Sequence, residues 1–182
     1  MCRHGELGRL ETRLGVEIVR MAKVVTYPFT DYFQGFERIE AVQRLFGEST
    51  EAVLNGLRVE FRSGRGYMGV SGEDGHLSVS ANYLRTGDGA DIYLDIIHEL
   101  VHVKQVREGK TLREANFAYV DRPTEIEAYR HAVNEAKRLG MDDRRILEYL
   151  RTDRMTDEDL HRLAHAVHVR VENELASESK QT

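Results

Sequence analysis

The residues best suited to chemistry lie in one short run, in which His98 and His102 are four positions apart and Glu99 directly follows the first histidine. On an α-helix, side chains four residues apart lie one above the other on the same face. Both imidazoles can therefore reach a single metal ion such as zinc. Glu99 is rotated by about 100° from His98, too far to be an easy ligand but well placed to hold a metal-bound water.

An apolar helical pattern surrounds this run and predicts a helix over about 90–108, ended by Gly109. Apolar residues cover most of its circumference, which is typical of a buried central helix. The remaining stripe carries the polar side chains Asp91, Asp95, His98 and His102. A buried stripe of this kind needs a partner such as a metal ion. Asp95 is expected to support a ligand or to face solvent, not to bind the metal itself.

A third ligand is expected on the next predicted helix, which starts near Thr124, because a hydrolytic zinc site uses three protein ligands and one open position. Glu125 and Glu127 both have suitable side chains. Glu125 is preferred because Ala128 and Tyr129 share its face, where a small residue allows close helix packing. Tyr129 could orient a histidine or polarise a substrate. Glu127 has a simpler explanation, as the acidic residue of a capping box whose cap is Thr124.

The motifs at 98–105 (His-Glu-Leu-Val-His-Val-Lys-Gln) and 123–129 (Pro-Thr-Glu-Ile-Glu-Ala-Tyr) together resemble the gluzincin type of HExxH zinc metallopeptidase. Within that type the chain is most similar to small bacterial ImmA/IrrE-like and minimal gluzincin proteins, which carry a Glu-x-x-Ala motif on the downstream helix. The resemblance implies a zincin-like fold, one Zn2+ per chain, and Glu99 as the general base. The zinc ligands that it implies are His98, His102 and Glu125.

The resemblance also implies that a predicted strand at 76–83 is the edge strand lining the substrate cleft. An extended peptide would pair with that edge through backbone hydrogen bonds. One departure from the family pattern concerns Tyr129, because many gluzincins have Asp or Asn four residues after the ligand glutamate, where it holds a histidine in place. This difference bears on the support of the ligands and not on the ligands themselves.

The predicted function is that of a zinc-dependent metallopeptidase, a hydrolase that cleaves peptide bonds. Glu99 would activate a zinc-bound water and later pass its proton to the leaving amine. The oxyanion of the tetrahedral intermediate needs a second donor, and Tyr129, Tyr119 and His131 are candidates. The alternative is a catalytically weak zincin-like module that binds metal for regulation or interaction. Retention of Glu99 favours the enzyme, because an inactive module has no chemical need for it.

Composition narrows the class of protein further. The chain has 182 residues, and 26 Lys and Arg against 31 Asp and Glu give a net charge of −5. This balance argues against nucleic-acid binding, which usually needs a basic face. The sequence has no apolar run long enough to span a membrane, and its single cysteine, Cys2, excludes an internal disulfide framework. We therefore expect a cytoplasmic protein whose partner is a peptide or protein substrate, and no particular oligomeric state is predicted.

The predicted elements form an α+β fold in which a small, mostly antiparallel sheet packs on the central active-site helix. Amphipathic helices are predicted over about 6–22 and 36–46, and period-two alternation between 57 and 83 predicts the sheet. Helical periodicity returns after the sheet and continues to the end of the chain. The expected domains are a zincin-like metallopeptidase domain at 1–140 and a helical extension at 141–182, packed on the same domain.

The last predicted helix begins at Thr156, where Asp159 completes a capping box, and is expected to fray at 177–182. It carries three histidines spaced by four and three residues: His161, His165 and His168. They flank an apolar stripe, with no carboxylate or cysteine at metal-ligand spacing. We therefore expect them to face solvent and not to form a second metal site.

Overall fold

The computed structural model describes residues 12–153 and 155–171. Contacts divide the chain into two units, Met1–Leu112 and Arg113–Thr182. The first unit contains a small sheet with several helices, and the described part of the second is helical. The predicted α+β class is confirmed.

The main sheet has four strands, in the order β2-β4-β6-β5. The strands are β2 (Thr26–Pro28), β4 (Arg58–Arg62), β5 (Met68–Val70) and β6 (Leu77–Ser80). The β2–β4 and β5–β6 pairs are antiparallel, whereas β4 and β6 are parallel. The sheet is therefore mixed, with antiparallel pairing the more frequent, as predicted. A separate two-stranded sheet pairs β1 (Glu17–Ile18) with β3 (Phe33–Gln34).

The prediction of an edge strand at 76–83 is wrong. Strand β6 lies inside the sheet, between β4 and β5, and all four of its residues are buried. In the sequence, Ser78 and Ser80 occupy the positions that would face solvent in an alternating strand. Both are buried, and the Ser80 hydroxyl donates a hydrogen bond to the backbone oxygen of Gly64. Ser80 also ends the strand by capping a short helix, α4 (Ala81–Thr86), so the alternation beyond it belongs to a helix. Strand β5 is the sheet edge on this side.

The helix predicted over about 6–22 is also wrong beyond Gly15. Residues 12–14 are helical, Gly15 adopts a left-handed backbone with φ of 65°, and β1 begins two residues later. Glycine takes this conformation at no steric cost, so it ends the helix where the hydrophobic pattern alone would continue it. Residues 6–11 of the predicted helix lie outside the described part of the chain.

The segment around 36–46 is helical, as predicted. A 3₁₀ turn (Phe36–Arg38) leads into helix α2 (Glu40–Phe46), and two further helices of this unit are α1 (Phe29–Tyr32) and α3 (Thr50–Gly56). The apolar side chains that these elements bury include Phe29, Phe36, Ile39, Val42, Leu45 and Leu54. They form an aromatic and aliphatic core for the first unit.

Helix α5 (Gly89–Arg107) carries the histidine motif and lies within the core of the first unit, as predicted. Asp88 caps it, with a side-chain oxygen that accepts hydrogen bonds from the backbone of Ala90 and Asp91. The fully buried apolar residues of α5 are Ile92, Tyr93, Leu94, Ile96, Ile97, Leu100 and Val101. The helix contacts the edge strand β5 and helix α2. Close packing on several sides holds the motif in one orientation.

The second unit contains α6 (Pro123–Arg138), α7 (Asp143–Leu150) and α8 (Asp157–Ala166). Thr156 and Asp159 form the predicted capping box at the start of α8. The three histidines of this last segment are exposed, as predicted. Helix α8 ends at Ala166, and the predicted fraying at 177–182 lies outside the described residues. Within the two described stretches, no helix combines the length and apolarity that a membrane span requires.

Candidate metal centre

His98 and His102 bring two ring nitrogens together on α5. Both side chains are buried, with exposed fractions of 6% and 5%. Their Nε2 atoms lie 3.0 Å apart, and the two rings meet edge to face with centroids 4.7 Å apart. This is the arrangement that spacing by four residues on a helix predicts. Two imidazole nitrogens that converge in a buried place are suited to share one metal ion.

Gln105 lies one helical turn after His102, and its side chain contacts that ring. The His102 Nδ1 atom lies 2.7 Å from the Gln105 side-chain oxygen, and Gln105 is fully buried. An amide oxygen only accepts hydrogen bonds, so Nδ1 is the donor.

Glu125, in the first turn of α6, completes the group. One potential ligand atom from each of His98, His102 and Glu125 lies within 4.8 Å of the other two, and all three side chains are buried. Two imidazoles and a carboxylate in one buried place could hold a metal ion. The structure thus brings together the three residues that the sequence predicted as ligands.

The capping role predicted for Glu127 is wrong. Helix α6 starts two residues earlier than the capping box requires, with Arg122 at the cap position, Pro123 as the first helical residue and no side-chain cap. Proline is favoured at the start of a helix because its missing N–H would be unpaired there in any case. Thr124 lies inside the helix, and its hydroxyl donates to Glu114. Glu127 is half-buried and is not part of the ligand group.

Glu99 follows the first histidine on α5 and is 7% exposed. A carboxylate is rarely buried to this degree unless it is paired with another group, because burial removes most of its hydration. The helix places it about 100° from His98 around the axis. It is therefore a buried potential base next to a ligand, and it is not itself a member of the ligand group.

Tyr129 and Tyr119 form a hydroxyl pair in the second unit. Tyr129 lies one helical turn after Glu125 on α6 and is buried, whereas Tyr119 is 41% exposed. Their hydroxyl oxygens are 3.0 Å apart. The guanidinium of Arg122 lies 5.7 Å from the centre of the Tyr119 ring and holds it by a cation–π contact. His131, the other candidate donor, is half-buried on α6.

Asp95 supports the motif helix by pairing with Tyr83, and it is outside the ligand group, as expected. The Tyr83 hydroxyl donates to the Asp95 carboxylate over 2.6 Å. Burial, together with the negative charge of Asp95, raises the pKa of Tyr83 well above its ordinary value. The phenol therefore stays protonated and remains a donor at any physiological pH.

Sequence reasoning missed the contacts of Gln105 and Tyr83. Gln105 had a visible signal, since it lies three residues after His102 and so on the adjoining part of the same helix face. Tyr83 had none, because the segment that contains it was predicted to be a strand and its partner lies on a different element.

No protein-family model, curated protein or solved structure matches the chain. The gluzincin resemblance therefore rests on the motif residues alone, and the zincin-like fold stays a prediction.

Proposed function

We propose that this protein is a zinc-dependent metallopeptidase of zincin-like architecture that hydrolyses peptide bonds. The observation that supports the proposal most directly is the buried group of His98, His102 and Glu125, whose ligand atoms lie within 4.8 Å of one another. Glu99 is buried beside the first of these ligands. A binding module would need only the ligands, whereas a hydrolase also needs a base in this place.

The donor set fits zinc. Catalytic zinc sites commonly use two histidines and one carboxylate, and they leave a further position open for substrate or water. Imidazole nitrogens favour zinc and similar transition metals, whereas calcium and magnesium prefer oxygen ligands. The hydrogen bond from His102 to Gln105 adds the kind of outer contact that orients a ligand histidine.

Zinc bound by these three residues would supply Lewis acidity, which polarises the peptide carbonyl and makes water a stronger nucleophile at neutral pH. Glu99 would accept the proton of the attacking water and return it to the leaving amine. This cycle leaves the carboxylate unchanged. The burial of Glu99 places this proton transfer away from bulk water.

Tyr129 is the proposed donor to the oxyanion of the tetrahedral intermediate. When Tyr119 donates the hydrogen bond between the two hydroxyls, Tyr129 keeps its own proton for the substrate. A preorganised donor of this kind stabilises charge that develops only in the transition state. The half-exposed Tyr119 would then act through Tyr129.

Metal analysis tests this proposal. In elemental analysis of purified proteins, wild type is expected to hold about one zinc ion per chain, and His98→Ala and Glu125→Ala are expected to lose it. Glu127→Ala is the matched control, because it removes a half-buried carboxylate from the same helix turn, and it should keep the metal. Circular dichroism confirms that each variant folds.

Two results would contradict the proposed ligands. Folded wild type that holds no zinc after reconstitution would leave the peptidase proposal without its cofactor. A Glu127→Ala protein that loses zinc, together with a Glu125→Ala protein that keeps it, would make Glu127 the third ligand.

Strand β5 replaces the interior strand as the expected place for substrate pairing. It is a sheet edge and contacts the motif helix α5. Tyr67 and Ser71 bond to the neighbouring strand segment through their backbones. By the alternation of an antiparallel ladder, the N–H and C=O of Met68 and Val70 point to the opposite side. An extended peptide could pair with these outward groups.

Val70→Pro removes one outward N–H, a change that edge strands tolerate. It is expected to lower kcat/KM for peptide cleavage about tenfold, since one backbone hydrogen bond to substrate is lost. Val70→Ala trims the side chain, keeps the N–H and should retain most of the activity. Equal activity in a folded Val70→Pro protein would show that substrate does not pair here.

A further inference from the structure

We propose that Gln105 is a positioning residue of the metal centre: its side-chain amide holds His102 in the tautomer that presents Nε2 as the ligand atom. The inference rests on the metal site of the proposed function. It assigns a task to a buried polar residue outside the His-Glu-x-x-His motif.

The geometry of the contact is tightly defined. Gln105 and His102 lie three residues apart on α5, so a single rigid helix sets their separation. The His102 Nδ1 atom and the Gln105 Oε1 atom are 2.7 Å apart, at the short end of the range for N–H···O bonds. Gln105 is fully buried, so bulk water does not compete for this acceptor.

The chemistry of the two groups settles the direction of the bond. An amide oxygen accepts and cannot donate, so Nδ1 must carry a proton. A neutral imidazole has one N–H, and the Nε2 atom of His102 then carries the lone pair. That atom lies 3.0 Å from Nε2 of His98, so the lone pair belongs to the nitrogen that faces the other ligand. Loss of the acceptor would allow the other tautomer, whose Nε2 proton blocks coordination.

An amide also fits the charge of this place better than an acid would. The ligand group already contains the Glu125 carboxylate, and Glu99 is a second buried acid close in sequence to the first ligand. A third carboxylate buried here would add repulsion and a further desolvation cost. Gln105 supplies the acceptor without adding a charge.

The test compares two variants of similar shape. Gln105→Met keeps the length of the side chain and removes the amide oxygen, whereas Gln105→Glu keeps an acceptor at that position. Zinc affinity is measured by competition with a chromogenic chelator. Gln105→Met is expected to bind zinc about 10- to 100-fold more weakly than wild type. Gln105→Glu keeps the acceptor but adds a buried charge, so it is expected to lose clearly less affinity than Gln105→Met.

A second measurement is independent of metal binding. Long-range ¹H–¹⁵N correlation spectra of the metal-free protein report which ring nitrogen of His102 is protonated. Wild type and Gln105→Glu are expected to show His102 protonated at Nδ1, and Gln105→Met is expected to populate the Nε2 form. Because wild type alone gives a decisive spectrum, the test does not depend on the folding of a variant.

Three results would overturn the inference. One is wild-type His102 protonated at Nε2, and another is wild-type zinc affinity in Gln105→Met. The third is an equal loss of affinity in both variants, which would indicate that Gln105 has only a packing role. Failure of the proposed function would give a different result. If wild type bound no zinc but its His102 were protonated at Nδ1, the metal site would be excluded and the tautomer assignment would stand.

Discussion

Glu99→Gln is expected to lower kcat/KM for peptide hydrolysis by about 10²- to 10⁴-fold and to leave the zinc content unchanged. The amide has nearly the shape of the carboxylate, but it cannot accept the proton of the attacking water. Glu99 is not a member of the ligand group, so its replacement should not disturb metal binding. The measurement is cleavage of a fluorogenic peptide library by zinc-loaded protein, beside elemental analysis of the same sample.

Glu51→Gln is the matched control, since it makes the same chemical change on an exposed face of α3 in the same unit, and its activity should equal that of wild type. Undiminished hydrolysis by folded Glu99→Gln would exclude Glu99 as the base. If zinc-loaded wild type cleaved no peptide at all, the alternative of a metal-binding regulatory module would be favoured.

The parts of the structure that the sequence predicted well are those decided by local spacing. Two histidines four residues apart on an apolar helix must share a face, and α5 shows this with Nε2 atoms 3.0 Å apart. The Thr156–Asp159 capping box is equally local, because its partners are three residues apart. Such features depend on helix geometry and very little on the rest of the fold.

The position of the 76–83 strand at the sheet edge was mispredicted, because strand order depends on contacts between distant segments. The alternation at 76–83 is compatible with an edge strand, but the sheet places β6 between two neighbours and buries its serines. Ser80 tolerates burial because its hydroxyl finds the backbone of Gly64, sixteen residues away. No pattern within the strand could indicate that partner.

The choice between Glu125 and Glu127 as the third ligand depends on the residue at which helix α6 begins. The capping-box explanation of Glu127 required Thr124 to be the cap residue, but the helix already begins at Pro123 and its cap residue is Arg122. The preference for Glu125, based on Ala128 and Tyr129 sharing its face, agrees with the ligand group. The same reasoning did not extend to Gln105, whose polar side chain on a buried helix was itself an indication of a partner.

Zinc is expected to raise the melting temperature of the metal-free protein substantially. The three ligands come from positions 98, 102 and 125 of the chain, so only the folded state presents them together, and binding then adds directly to stability. At a free zinc concentration about 1,000 times the dissociation constant, the gain in unfolding free energy is about 4 kcal/mol. For a chain of this length, that gain corresponds to about 8–16 °C. The measurement is calorimetry in a chelator-buffered zinc series.

Two variants separate this effect from binding at the surface. His161 and His165 are exposed and four residues apart on α8, so they offer zinc a competing place outside the buried group. His102→Ala should abolish the rise in melting temperature, whereas His161→Ala should retain it. The opposite pattern would assign the stabilisation to the surface pair. If neither variant changed the response, zinc would act elsewhere, and the buried group would lose its place as the cofactor site.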